Sequence, residues 1–119
     1  MTERKYDLEE RTAKFGEKII EFVRKVNKNT LTIPLIDQLI RCGTSVGANY
    51  MEATGADSKK DFSHKNGICK REARETKYWL RLIVKAEPLL REDAARLWRE
   101  AEELNLIFSK IVRSCYKKK

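Results

Sequence analysis

Apolar side chains recur every three or four residues through four long stretches of this chain, a period typical of helices that bury one face. The 119 residues include only two prolines and five glycines, so few positions interrupt such helices. A chain of this length is expected to form one domain around one core. The sequence therefore predicts a single all-α domain over residues 1–119, with a frayed basic tail at 117–119.

The ends of the four helices are marked by residues that start or stop a helix. Pro34 suits a first helical turn, Gly55 suits a helix end, and Ser58 suits an N-cap. Short connections force neighbouring helices to run antiparallel, which predicts an up-down-up-down four-helix bundle. The predicted helices run from about Asp7 to Lys28, Thr32 to Thr54, Ser58 to Ala86 and Ala94 to Cys115.

Positive charge is concentrated in the third predicted helix. The whole chain has a formal net charge of +8, and residues 59–85 alone hold nine Lys or Arg against three acids, a local balance of +6. A solvated helix face explains such a ridge without any function, whereas contact with phosphates would relieve its self-repulsion. The predicted nucleic-acid-binding residues are Lys70, Arg74, Lys77, Arg81 and Lys85 in this ridge, with Lys117, Lys118 and Lys119 in the tail.

Two polar stripes are candidates for contacts between copies of the chain. One lies along the second helix, on the side that we expect to point away from the core, and is either a solvated edge or a polar interface. The other lies on the third helix, where two carboxylates interrupt an otherwise apolar stripe. The predicted oligomer-interface residues are Arg41, Ser45, Asn49 and Glu52 on the second helix, with Glu72, Glu75 and Trp79 on the third.

Catalytic and metal chemistry find little support in the sequence. His64 is the single histidine, and no Glu precedes it by three residues, as a di-metal carboxylate bundle would require. The three cysteines are odd in number and lack zinc spacing, so reduced thiols are expected. The aromatic residues are expected to pack in the core or an interface rather than on bases. We expect no metal, no cofactor and no enzymatic activity.

The segments RCGTSVGANYMEA and SKKDFSHKNGICKREARETKYWLRLI resemble the small four-helix bundle proteins encoded in intervening sequences of bacterial 23S rRNA genes. The resemblance covers Leu31 to Ile83, although Met51 stands where that family often has arginine. It implies a ring-shaped homopentamer without established enzymatic activity, in which the two polar stripes contact neighbouring subunits. The fold is also similar to the accessory variability determinant of diversity-generating retroelements, a basic pentamer that binds a reverse transcriptase and nucleic acid.

Together these observations predict a non-enzymatic, oligomeric RNA- or DNA-binding protein with low sequence specificity. The alternative is a protein adaptor, such as an accessory subunit of a retroelement reverse transcriptase. The N-terminal segment lacks an apolar run suited to a signal peptide, and no stretch approaches the ~20 apolar residues of a membrane span. We therefore expect a cytoplasmic protein with no membrane partner.

Overall fold

The computed structural model describes residues 7–116, which form four α-helices and one short 3₁₀ turn. Within these residues there is no β-strand, so the predicted all-α class is confirmed. The helices are α1 (Leu8–Lys25), α2 (Thr32–Thr54), α3 (Lys59–Ala86) and α4 (Arg91–Tyr116), with the 3₁₀ turn at Pro88–Leu90 before α4.

Side-chain contacts show that neighbouring helices are antiparallel. Near the start of α1, Arg11 Nε lies 2.7 Å from Glu100 Oε2 in α4, and at the end of α1, Lys25 Nζ lies 2.9 Å from Asp93 Oδ2 in the first turn of α4. The helices α2 and α3 are also antiparallel, as are α3 and α4, so the bundle runs up-down-up-down as predicted. Its defining contacts are Arg41 with Glu75, Glu52 with Lys65, and Lys70 with Asn105.

The first helix ends at Lys25, three residues before the predicted end at Lys28. Val26 leaves the helical conformation with φ −79° and ψ 130°, and its N–H donates to the Val23 carbonyl at 3.0 Å. In this extended conformation the Val26 side chain is buried in the core, with 2% of its surface exposed. Burial of an apolar side chain therefore outweighs one further helical turn.

Side-chain caps fix where α2 and α3 begin. Asn29 Oδ1 accepts hydrogen bonds from the backbone N–H groups of Leu31 and Thr32, each at 2.9 Å, and so satisfies two of the free donors at the start of α2. Ser58 Oγ accepts from the Asp61 N–H at 3.0 Å, which confirms the predicted N-cap of α3.

Two glycines allow α1 and α2 to pack closely. An added Cβ at Gly43 would lie 2.8 Å from Ile19 Cγ1, and one at Gly47 would lie 3.1 Å from Thr12 Oγ1. Ile19 and Thr12 are both buried, so neither has free space to retreat into. The large side chains that are almost completely buried in the core include Phe15, Leu39, Val46, Leu80, Ile83, Leu104 and Phe108.

Candidate nucleic-acid interface

The outward side of α3 carries a row of exposed, mostly basic residues, which we call the basic face. Its members are separated by three or four positions, with Gly67 filling the one gap, so they form a single stripe along the helix. The stripe contains no Asp or Glu. The basic face consists of Lys60, His64, Arg71, Arg74, Tyr78, Arg81 and Lys85, all of which are exposed.

The structure shifts the predicted ridge around the helix. Arg74, Arg81 and Lys85 are exposed as predicted, but Lys70 and Lys77 are half-buried on the flank that packs against α4. There the Lys70 carbonyl accepts a hydrogen bond of 3.0 Å from Asn105 Nδ2. The predicted tail residues Lys117, Lys118 and Lys119 lie outside the described residues.

Lys77 is therefore a poor candidate for phosphate contact. Its ammonium binds the carboxylate of Glu102 in α4, and only 19% of its side chain is exposed. The same Nζ lies 4.8 Å from the centre of the Trp98 ring, a distance at which a cation is attracted to the ring face. Both contacts compensate the lysine charge within the chain.

The charges of the basic face are not compensated in this way. Among the residues that the structure describes, Arg71, Arg74 and Arg81 form no ion pair. Lys60 and Lys85 mark the ends of the face, which spans about 37 Å along the helix axis. Like charges along such a stripe raise the local positive potential and favour a polyanionic partner.

The two polar stripes predicted to contact other chains meet each other within one chain. Arg41 Nη2 lies 2.5 Å from Glu75 Oε2, and its Nη1 lies 3.3 Å from Glu72 Oε1. The side chain of Arg41 is 48% exposed and that of Glu72 only 13% exposed. Burial lowers the pKa of Arg41, but the charges of Glu75 and Glu72 outweigh it and keep that pKa above its ordinary value.

The polar edge of α2 lies outside the core, as expected, with Arg41 and Glu52 exposed and Ser45 and Asn49 half-buried, and it runs beside α3. Asn49 Nδ2 donates to both the carbonyl and the hydroxyl of Ser45, each at 2.9 Å. Glu52 Oε1 lies 2.7 Å from Lys65 Nζ, and this hydrogen bond lowers the pKa of Glu52. A helical wheel places residues around one helix but does not say where the next helix lies.

The aromatic residues occupy different environments. Tyr50 is half-buried and packs on Phe108 with ring centres 5.8 Å apart, and Trp79 is half-buried against the core. Trp98 on α4 is 42% exposed. Tyr78 is 54% exposed within the basic face, although the sequence favoured packing in the core or an interface over stacking on bases for the aromatic residues.

Nucleophilic and metal-binding groups are not gathered into a site in the described part of the chain. Cys42 and Cys69 are completely buried, and burial raises the pKa of Cys42 to about 11 and that of Cys69 to about 12. Such thiols are poor nucleophiles at neutral pH. Across residues 7–116, no group of three or more His, Cys, Asp or Glu side chains is arranged to hold a metal ion.

Comparison with known proteins places this bundle in a family. Residues 4–110 match the family described as 23S rRNA-intervening sequence protein. The chain belongs to this family. It is also similar to a crystal structure of a protein of unknown function from the S23 ribosomal protein family of Bacteroides thetaiotaomicron VPI-5482, with 31% identity and a TM-score of 0.76. That similarity covers 87% of this chain and 96% of the other. No curated protein matches the sequence.

The residues that match the 23S rRNA-intervening sequence protein family, 4–110, include the whole basic face. They also include Arg41, Glu72 and Glu75, which we call the Arg41 cluster. Met51 is 65% exposed and lines a surface depression with Asp7, Glu9 and Glu10. An arginine at this position would lie beside those acidic residues. Within the described residues, no helix is both long and apolar enough to cross a bilayer.

Proposed function

We propose that this protein is a non-enzymatic RNA- or DNA-binding protein that contacts phosphates through the basic face of α3. The observation that carries the proposal is the exposure of Arg71, Arg74 and Arg81 along one stripe without an ion-pair partner among the described residues. Arginine presents a planar set of donors that matches phosphate oxygens in pairs. A polyanion along this stripe would replace mutual repulsion with charge-assisted hydrogen bonds.

The composition of the face favours binding with little sequence preference. Its charged groups are cations suited to phosphates, and contacts of this kind position a nucleic acid without identifying its bases. Asn and Gln side chains, which read adenine through paired hydrogen bonds, are missing from the stripe of seven residues defined above. We therefore expect affinity to depend on salt and length more than on sequence.

A non-enzymatic role is supported by how the two carboxylates in the middle of α3 are held. Glu72 and Glu75 are both bound by Arg41, and Glu75 Oε2 also accepts a hydrogen bond of 2.9 Å from the Trp79 indole. Both carboxylates are therefore occupied by contacts within the chain. These contacts suit a structural cluster better than general acid–base chemistry.

The proposal is tested by titrating labelled RNA and DNA with the protein at several salt concentrations. Affinity should fall steeply as salt rises, because each phosphate contact releases condensed counterions. The triple variant Arg71→Glu, Arg74→Glu, Arg81→Glu should lose this binding. Each single Arg→Ala change should reduce the slope of log affinity against log salt by about one.

A matched variant separates the basic face from net charge. Lys14, Lys18 and Arg24 are exposed on α1, and changing all three to Glu lowers the formal net charge from +8 to +2, as the α3 triple does. The α1 variant should keep most of the affinity. Equal losses of affinity in the two triple variants would show that total charge matters and the basic face does not. The proposed function would be refuted if the unchanged protein bound no nucleic acid at low salt.

We further propose that the protein assembles as a ring-shaped homopentamer, which would repeat the basic face around a belt. Support comes from the family resemblance and from the Arg41 cluster, where one cation serves two carboxylates and leaves one negative charge at a half-exposed surface. In an isolated chain an exposed pair of this kind contributes only about 0–1 kcal/mol. Beneath a neighbouring subunit, removal of Arg41 would leave buried carboxylates unpaired, at a cost of about 3–5 kcal/mol.

Light scattering of the Arg41→Ala variant tests the assembly. We expect the unchanged protein to have the mass of five chains and the variant to dissociate at micromolar concentration. Arg96→Ala is the control, since Arg96 is 65% exposed and pairs with Asp93 on α4 alone. A monomeric unchanged protein contradicts the pentamer, and an Arg41→Ala pentamer of unchanged stability removes Arg41 from the interface.

A protein adaptor is the second candidate, and a groove between α3 and α4 favours it. This groove has a volume of about 280 Å³ and is lined by Val84, Ala94, Ala95 and Trp98, with Arg81 and Arg91 among its other lining residues. An apolar floor with cations at its rim suits an acidic amphipathic segment of another protein. Absence of nucleic-acid affinity at low salt, together with capture of such a segment, would favour this role.

A further inference from the structure

Tyr78 interrupts the basic face with an aromatic ring. It is 54% exposed and is the one aromatic member of the stripe between Lys60 and Lys85. A phosphate contact would use only the hydroxyl of Tyr78 and would leave its exposed aromatic ring without a role. A large aromatic side chain that is half exposed is instead available to contact another flat apolar surface.

The position of Tyr78 is supported from the neighbouring cluster. Its ring packs edge-to-face on Trp79, with the ring centres 4.9 Å apart and the planes at 78°. The Trp79 indole N–H donates to Glu75 Oε2 at 2.9 Å, and the same carboxylate oxygen lies 2.5 Å from Arg41 Nη2. Trp79 thus supports the Tyr78 ring, and Glu75 and Arg41 support Trp79. Because its position is already restricted, the Tyr78 side chain loses little conformational freedom when a ligand contacts it.

Two arginines of the basic face flank the ring. Arg74 precedes Tyr78 by four residues and Arg81 follows it by three, which makes both of them its neighbours on the helix surface. Neither arginine forms an ion pair among the described residues, so both guanidinium groups remain available for phosphates. The arrangement is therefore a ring between two phosphate-directed cations.

This arrangement distinguishes single-stranded from double-stranded ligands. In a duplex, base faces are stacked inside and a side chain on the surface of a protein helix meets only base edges and backbone. In a single strand the base faces are free, and proteins that bind single strands combine basic tracks with aromatic rings on which bases stack. To a duplex Tyr78 offers only its hydroxyl as a phosphate donor, whereas to an unpaired base it also supplies a stacking surface.

We propose that the basic face binds single-stranded RNA or DNA, with one unpaired base stacked on Tyr78 and the adjacent phosphates bound by Arg74 and Arg81. The inference rests on the proposed nucleic-acid-binding function and names its ligand class. Stacking tolerates any base, since every base has a flat π-face. The low sequence preference proposed above is therefore retained.

The test compares a labelled single strand with a duplex of the same sequence and length, at one low salt concentration. Tyr78→Ala should weaken single-strand binding about 5- to 150-fold, the range that corresponds to loss of one base–aromatic stack. Duplex binding should change less than twofold. Tyr78→Phe should keep the single-strand affinity, because it retains the ring and loses only the hydroxyl.

Leu106→Ala is the matched control. Leu106 is an apolar side chain on α4 with 57% exposure, close to that of Tyr78, so its removal reports the general effect of deleting an exposed apolar group. Circular dichroism and light scattering of each variant show whether the helices and the assembly are kept. Leu106→Ala should leave both affinities unchanged.

The outcomes separate the two proposals. If the unchanged protein binds neither ligand at low salt, the nucleic-acid-binding function itself is wrong. If it binds both and Tyr78→Ala weakens them equally, or weakens neither, then the function stands and the single-strand inference is overturned. A change in assembly mass with no selective loss of single-strand affinity would assign Tyr78 to a contact between chains and overturn the inference as well.

Discussion

Replacing Gly43 by alanine tests the close contact between α1 and α2 on which the shape of the bundle depends. The added Cβ would lie 2.8 Å from Cγ1 of Ile19 and 3.2 Å from both Cδ1 and Cγ2. Ile19 is completely buried and β-branched, so its side chain has neither space nor a second low-energy rotamer to adopt. The two helices must therefore move apart, or the core around Ile19 must repack.

Two opposing effects set the size of the change. Overpacking a close-packed core costs about 1–3 kcal/mol. Alanine in a helix interior recovers about 0.5–1 kcal/mol relative to glycine. Gly43→Ala should therefore lower the free energy of unfolding by about 1 kcal/mol, within a range of roughly 0–2.5.

Gly67→Ala provides the matched control, because it makes the same chemical change in the interior of α3 where no other heavy atom lies within 4 Å of the new Cβ. Without a clash, this variant should raise the free energy of unfolding by about 0.5–1 kcal/mol. Urea unfolding followed by circular dichroism at one fixed protein concentration measures both. In an Ile19→Ala background, Gly43→Ala should become stabilising, because the side chain that it would contact is gone. Equal stabilities of Gly43→Ala and Gly67→Ala would refute the close-packing argument.

Two further predictions concern thiol reactivity and acid stability. In the native protein Cys115 should react with a thiol reagent at pH 8, whereas Cys42 and Cys69 should react only after unfolding in urea. Burial raises the pKa of Cys42 to about 11 and that of Cys69 to about 12. Fast labelling of all three cysteines in the native state would contradict the burial of Cys42 and Cys69. The hydrogen bond from Lys25 holds the pKa of Asp93 below its ordinary value of 3.8, so the pair stabilises the fold above that pH and the contribution is lost as pH falls through the lowered pKa. Titration of Asp93 by NMR should show this low pKa, and Lys25→Gln should raise it. The variant should also show a weaker dependence of the free energy of unfolding on pH below about 4. An unchanged pKa of Asp93 in the variant would contradict the role of Lys25.

Much of the fold could be predicted because the signals that determine it are local. The bounds of α2 agree with the predicted ones near Thr32 and Thr54, and Ser58 caps α3 as its position three residues before Asp61 indicated. The end of α1 could not be predicted in the same way. Val26 suits the apolar period of the helix, but it is buried in an extended conformation because of packing from elsewhere in the chain.

The candidate site was harder to predict because it depends on where neighbouring helices lie. Lys77 follows Arg74 by three residues and precedes Arg81 by four, but it lies on the flank that packs against α4, where it contacts Glu102 and Trp98. Arg71 was missed for the converse reason, because the predicted ridge was placed too far toward α4. The cations of α3 could be counted from the sequence, but their division between a packed flank and a free face could not.

The arrangement of ion pairs explains why one helix face is left with a single sign of charge. Acids on neighbouring helices can reach cations that flank a helix–helix contact, as Glu102 reaches Lys77 and Glu52 reaches Lys65. Among the described residues, Arg71, Arg74 and Arg81 on the outward side of α3 form no ion pair, and the stripe itself contains no acid. An external anion would relieve their mutual repulsion. A structural requirement for solubility would be met equally well by mixed charges, so the exclusion of acids from this face favours a polyanionic ligand over a merely solvated surface.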